Sequence, residues 1–222
     1  VTPSGPVSPS GPLTPGDPLV EPPLPGGPLD QPGVIQLYRR AGALRTGHFV
    51  LSSGRHSDTY LQSALVLQWP RVAEALGRAL AEPFQGLVDA VVGPALGGVV
   101  IGHETARALH ARMVFTERVR GAAALRRSFQ VAPGERVLVT EDVVTTGGSA
   151  LEVCDLLEAA GAEVVALATI IDRLPGSVQL PVPFTALARV AAGAWEAAEC
   201  PSCLAGSTAE SPGSRRLDGH GQ

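Results

Sequence analysis

Val137-Leu138-Val139-Thr140-Glu141-Asp142-Val143-Val144-Thr145-Thr146-Gly147-Gly148-Ser149 decides the fold of this chain. A short apolar run ends in two adjacent carboxylates. Thr-Thr-Gly-Gly-Ser follows, and then a helical pattern begins. Ala150, Val153, Cys154 and Leu157 make one stripe of it, and Glu152, Asp155 and Glu158 the opposite one. This order predicts a strand, a loop and a helix N-terminus. The glycines let the backbone approach a ligand closely. The free N–H groups and positive dipole end of the helix favour a phosphate, and the hydroxyls add donors. Glu141 and Asp142 cannot bind that phosphate; they suit sugar hydroxyls or a cation just upstream of it. A ribose 5-phosphate satisfies both ends. A Gly-Gly pair alone would read as an ordinary turn, and it is the whole order that is specific.

Working outward, strands are expected at 88–92, 113–116, 136–141 and 164–171. Helices are expected between them, one ending near Leu109 and one near Ala160, with Gly161 as the residue that stops the second. The strand at 164–171 is wholly apolar, as in the middle of a parallel sheet. Strands alternating with helices predict an α/β domain, a mostly parallel sheet flanked by helices with right-handed crossovers. Its ligands should sit at the carboxyl ends of the strands. The Thr-Thr-Gly-Gly-Ser loop, a second loop Gly93-Pro94-Ala95-Leu96-Gly97-Gly98, and Asp172-Arg173 all fall at such ends. Upstream, Val34, Leu37, Tyr38 and Ala41 lie at helical spacing. Residues 47–61 read as two short strands around Ser52-Ser53-Gly54. Pro70 opens a helix whose face carries Val72, Leu76 and Leu80.

Residues 1–32 are rich in Pro and Gly, without the three-residue glycine period of collagen. Such a segment cannot build a packed core and is expected to be a disordered extension. Residues 33–190 make the domain with a small N-terminal hood, and 191–222 a tail.

The formal net charge is −4, which gives no hint of a nucleic-acid or membrane surface. No apolar run is long enough to span a bilayer, and no secretory pattern opens the chain, so the cytoplasm is the expected compartment. The initial Val would fit a GTG start or a trimmed chain. All 17 basic side chains are Arg, which excludes a P-loop lysine, a Schiff-base lysine and a pyridoxal phosphate anchor. The three cysteines make no disulfide framework. Cys154 falls on the apolar helix face. Cys200-Pro201-Ser202-Cys203 offers only two ligands of the four a zinc site needs. It reads as a turn before a redox pair or a metal shared between subunits. His48, His56 and His103 read as structural rather than catalytic.

Residues 115–127 follow a strand and carry Arg118, Arg120, Arg126 and Arg127 around small residues. This suggests a mobile flap. Arg118 and Arg120 could neutralise a pyrophosphate leaving group, while Arg126 and Arg127 read as a solvated basic face.

The order around Glu141 and Asp142 resembles the phosphoribosyl-pyrophosphate (PRPP) signature of the type I phosphoribosyltransferases. Gly42-Ala43-Leu44, Gly47-His48-Phe49-Val50-Leu51 and Ser53-Gly54-Arg55-His56-Ser57 resemble the hood of the orotate phosphoribosyltransferases, and Ile171-Asp172-Arg173 their base-binding strand end. The resemblance runs from about Gly33 to Arg189. It implies a homodimer with shared active sites that takes orotate and PRPP with Mg²⁺, in pyrimidine synthesis. It implies that Glu141 and Asp142 hold the ribose and, through water, the metal. Thr146, Gly147, Gly148 and Ser149 would hold the 5′-phosphate, and Val143, Val144 and Thr145 would join them in binding PRPP. Ala95, Leu96 and Gly97, with Arg118 and Arg120, would hold the pyrophosphate. Thr145, Arg173, Arg45 and Phe49 would meet orotate, whose carboxylate suits a guanidinium. The chain departs from the family pattern in its flap, which has no Lys or His, and in Arg45, which stands where the hood usually has lysine. Phosphate neutralisation survives that exchange; proton donation by the flap does not follow. A purine phosphoribosyltransferase and a non-catalytic PRPP-sensing regulator are the alternatives.

Overall fold

Asp30 starts the first helix. Its carboxylate accepts a hydrogen bond from the Gly33 N–H at 3.0 Å, and a proline sits in the first turn. The computed structural model describes residues 20–51 and 53–212. In it α1 spans Gln31–Arg40, starting two residues earlier than expected, inside the segment read as an extension. Composition averaged over residues 1–32 hides this cap. Leu29 packs against the core, and Pro25 lies beside Gly33. Residues 1–19 lie outside the described residues. Asp30→Ala is expected to lower stability by about 1 kcal/mol in chemical denaturation, the usual worth of such a cap.

The hood is an antiparallel pair, β1 (Leu44–Val50) and β2 (His56–Leu61), with a bulge between Thr46 and Phe49. The short α2 (Ala64–Leu67) leads to α3 (Pro70–Ala81). The main domain then runs β3 (Ala90–Pro94), α4 (Gly97–Leu109), β4 (Arg112–Val119), β5 (Ala122–Leu125), β6 (Arg136–Val144), α5 (Gly148–Ala159), β7 (Glu163–Asp172), β8 (Phe184–Arg189) and α6 (Pro201–Leu204). The sheet order is β5-β4-β3-β6-β7-β8, parallel except for the β4–β5 hairpin. The mostly parallel α/β sheet expected from the alternation is therefore present. Two strands were not foreseen: β5 is three alanines and a leucine, poor in β-formers, and β8 follows a proline-broken stretch.

Alternation along the strands divides the core into two layers. Val91, Leu138, Ala168 and Ile170 face α1, α3 and α4, with Leu37, Leu76, Leu80 and Ile101. Val92, Val139 and Leu167 face α5, with Val153 and Leu157. Cys154 is buried there, as its stripe predicted, and burial pushes its thiol up to about 12. At the amino edge of the sheet Arg136 pairs with Asp89 at 2.7 Å, which holds that exposed carboxyl down to about 2.

Candidate active site

β6 and β7 end level with each other. Val144 pairs with Asp172 in register, and the Arg173 N–H donates to the Val144 carbonyl at 2.8 Å. Thr145 and Arg173 therefore leave the sheet side by side. Gly147 caps α5 with φ +80°, and a Cβ there would stand 2.8 Å from Leu180 Cδ2, so glycine is required on both counts. Thr145, Thr146, Gly148 and Ser149 are exposed at the helix N-terminus. Val143 is half-buried. The Val144 side chain belongs to the core and its carbonyl is taken by Arg173, which leaves little of it for a ligand.

The two glycine loops meet. A Cβ on Gly97 would run into the Asp142 carboxylate and stand 3.2 Å from Glu141 Oε1. A Cβ on Gly98 would stand 2.7 Å from the Thr140 carbonyl oxygen. The backbone of Ala95-Leu96-Gly97 thus lies against the acid pair, with Leu96 86% exposed. Burial pushes the Glu141 carboxyl up to about 8, and the neighbouring Asp142, by charge and by hydrogen bond, pushes the same way. Two carboxylates so placed do not both ionise readily without a cation or ligand hydroxyls between them. That chemistry fits Mg²⁺ and a ribose.

Ala95, Glu141, Ser149, Glu152 and Arg118 line a cavity of about 160 Å³. Arg118 donates to Glu152 at 3.0 Å and to Ser149 Oγ at 3.4 Å. Glu152 also accepts from the Ala123 N–H at 2.7 Å. Glu152, which the helical wheel places on a surface stripe, therefore docks the flap on α5. The flap is an ordered hairpin in which Val119 pairs with Ala122. Its two turn residues, Arg120 and Gly121, have φ of 52° and 89°, the signature of a tight two-residue turn. Arg120 is exposed at the tip and has no side-chain partner among the described residues. Arg127 and Arg126 approach Glu117 at 3.1 and 4.0 Å, on the solvated face expected of them.

Arg173 is half-buried, and its side chain has no hydrogen-bond or ion-pair partner among the described residues. Burial lowers its pKa, and the charge of Asp58 on hood strand β2 opposes the shift. Asp58 was not singled out from sequence, because nothing nearby in the chain marks it. The other two expected base contacts sit differently. Arg45 pairs with Glu210 at 2.6 Å and lies 5.2 Å from the centre of the Phe49 ring. Phe49 is 1% exposed, packed beneath Arg45 and against Tyr60. The structure thus gathers Ala95, Arg118, Glu141 and Ser149 around one cavity, lays Gly97 against Asp142, and sets Thr145 beside Arg173. Arg45 and Phe49 are engaged with the tail and the hood.

The model of the phosphoribosyl transferase domain matches residues 63–179, which include both glycine loops and Arg173. By that match the chain belongs to the phosphoribosyltransferase family. The orotate phosphoribosyltransferase of Caldanaerobacter subterraneus is 44% identical over 190 residues, 85% of this chain and all of that one. That of Heliobacterium modesticaldum is 48% identical over 84% of this chain and all of its own. The crystal structure of orotate phosphoribosyltransferase from Aeropyrum pernix superposes with a TM-score of 0.62 at 26% identity, covering 71% of this chain and 93% of that one. The protein is an enzyme, a pentosyltransferase of the orotate type.

Proposed function

We propose that the chain transfers the phosphoribosyl group of PRPP to the ring nitrogen of orotate, giving orotidine 5′-monophosphate and pyrophosphate in pyrimidine (UMP) synthesis. The observation that carries the reading is Arg173. It is a partly desolvated guanidinium without a side-chain partner among the described residues, beside Thr145 at the start of the Thr-Thr-Gly-Gly-Ser loop. Orotate brings a carboxylate to it, and a purine does not.

The ribose carbon becomes cationic as its bond to pyrophosphate loosens, so the protein's work is placement and charge stabilisation. Thr145 to Ser149 fix the 5′-phosphate with backbone N–H groups and hydroxyls. Glu141 and Asp142 hold the ribose hydroxyls, and their negative charge faces the developing cation. The backbone of Ala95-Leu96-Gly97 and the guanidinium of Arg118 take the departing pyrophosphate. Glu141 and Asp142 would hold, through water, the Mg²⁺ that comes with PRPP, and that ion would supply charge neutralisation and a template. No side chain need act as a nucleophile. The free thiols Cys154, Cys200 and Cys203 suit a reducing cytoplasm. No helix among the described residues is long and apolar enough to cross a membrane, and nothing in the charge pattern calls for nucleic acid.

The working unit in this reading is a homodimer with shared sites, and the two flap arginines divide the labour. Arg118 touches Ser149 and Glu152 of its own chain, so it serves its own site. Arg120 projects from the hairpin tip and serves the partner's. Mixing Arg120→Ala with Asp142→Asn, each impaired alone, should restore up to about a quarter of wild-type activity, since half the random dimers carry one intact site of two. Mixing Arg118→Ala with Asp142→Asn should restore none. Recovery in the second mixture, or in neither once subunit exchange is verified, contradicts the division. The reaction is tested by orotate-dependent pyrophosphate release that requires PRPP and Mg²⁺.

A further inference from the structure

The fold brings together four residues that the sequence keeps apart. We propose that His48, His56, Cys200 and Cys203 form a tetrahedral binding site for zinc that fastens the C-terminal tail to the hood.

Their ligand atoms all lie within 4.8 Å of one another. The Cys200 and Cys203 sulfurs are each 3.5 Å from His48 Nε2, and Cys203 Sγ is 3.3 Å from His56 Nδ1. The two ring nitrogens stand 2.8 Å apart. Zinc bonds of about 2.3 Å to sulfur and 2.0–2.1 Å to nitrogen give tetrahedral edges of about 3.5 Å for S···N and 3.3 Å for N···N. Three of the four sulfur–nitrogen edges are therefore already at zinc dimensions, and the two imidazoles must part slightly.

The local structure explains the convergence. The bulge in β1 breaks strict alternation, so His48 and Phe49 are both buried although adjacent. His56 opens β2 and pairs across to Trp195 of the tail by two backbone hydrogen bonds of 2.8 and 2.9 Å. Cys200 caps α6, with Pro201 in its first turn, and Cys203 comes one helical turn later. Cys200 is 1% exposed. Further along, Glu210 pairs with the backbone of β1, at 2.8 Å to the His48 carbonyl and 2.7 Å from the Val50 N–H. The tail thus contacts both hood strands around the cluster.

Charge and ligand type select the ion. Two thiolates and two neutral imidazoles cancel the charge of a dication, which suits a buried site. Mixed sulfur and nitrogen donors in a tetrahedron favour zinc over magnesium or calcium. Four protein ligands leave no open position, so the ion is structural. None of the four residues lines the cavity at the phosphate loop. Through β1 and β2 the ion would steady Arg45 and Asp58, and with them the roof over the base.

The test uses the full chain without a polyhistidine tag, purified under reducing, anaerobic conditions. Elemental analysis should find about one zinc per chain. Cys154→Ser should keep it, and Cys203→Ser and His56→Ala should lose it. Replacement of zinc by Co²⁺ should give the strong visible bands of a tetrahedral site and a thiolate charge-transfer band, the latter diminished in Cys203→Ser. A zinc-selective chelator should lower Tm, and added Zn²⁺, unlike Mg²⁺, should restore it. Wild-type protein that carries no zinc and takes up no Co²⁺ into a thiolate site would overturn the proposal, even if the variants fail to fold. A Cys200–Cys203 disulfide found under the same handling would overturn it too.

Discussion

Asp142→Asn should reduce kcat by two to three orders of magnitude, about 10²–10³-fold, as when one preorganised charge-stabilising group is lost from an active site. The substitution keeps shape and removes charge. Asp142 lies against Gly97 and beside Glu141, so in the proposed reading it would serve both halves of the PRPP site. Its negative charge would matter most as the ribose carbon turns cationic, which puts the loss in kcat more than in KM. Stability should move the other way. Asp142 raises the Glu141 carboxyl by its charge, and relieving that repulsion should leave the Tm of the free enzyme unchanged or higher. Steady-state kinetics and a thermal melt on the same sample separate the two effects. A fall of less than about tenfold would remove the acid pair from the chemistry.

Arg173→Ala should raise the KM for orotate and lower kcat/KM by roughly one to two decades, the worth of a charge-assisted hydrogen bond of about 1.5–3 kcal/mol. The KM for PRPP should change little, because the loop proposed to hold its phosphate joins β6 to α5, while Arg173 follows β7. Arg173→Lys should recover only part of the loss, since an ammonium cannot form the two parallel bonds a guanidinium offers a carboxylate. An unchanged orotate KM would place the carboxylate partner elsewhere.

The main sheet was legible where local pattern and burial agree. The apolar run before Glu141 became β6, the run at 164–171 became β7, and the glycine loops fell at strand ends as expected. What local pattern could not supply is contact between distant segments. Glu152 reads as a surface acid until the β4–β5 hairpin folds onto it. Phe49 reads as available to a base because the bulge that turns it inward has no sequence mark. The Cys200 and Cys203 pair reads as a turn because its other two ligands are on the hood, with His48 lying 152 positions from Cys200. Spacing rules recognise ligands close in sequence and miss those that the fold assembles. The acid pair and the Thr-Thr-Gly-Gly-Ser loop stand out in the sequence because both belong to the carboxyl end of β6, and Arg173 because it follows the end of β7.

Base preference tests the central claim most directly. Orotate, uracil, adenine and hypoxanthine are offered separately to the enzyme with PRPP and Mg²⁺, and pyrophosphate release is followed. Orotate should be consumed and the other three should not, because only orotate carries the carboxylate that the proposed site would pair with Arg173. Turnover of adenine or hypoxanthine with none of orotate would contradict the account.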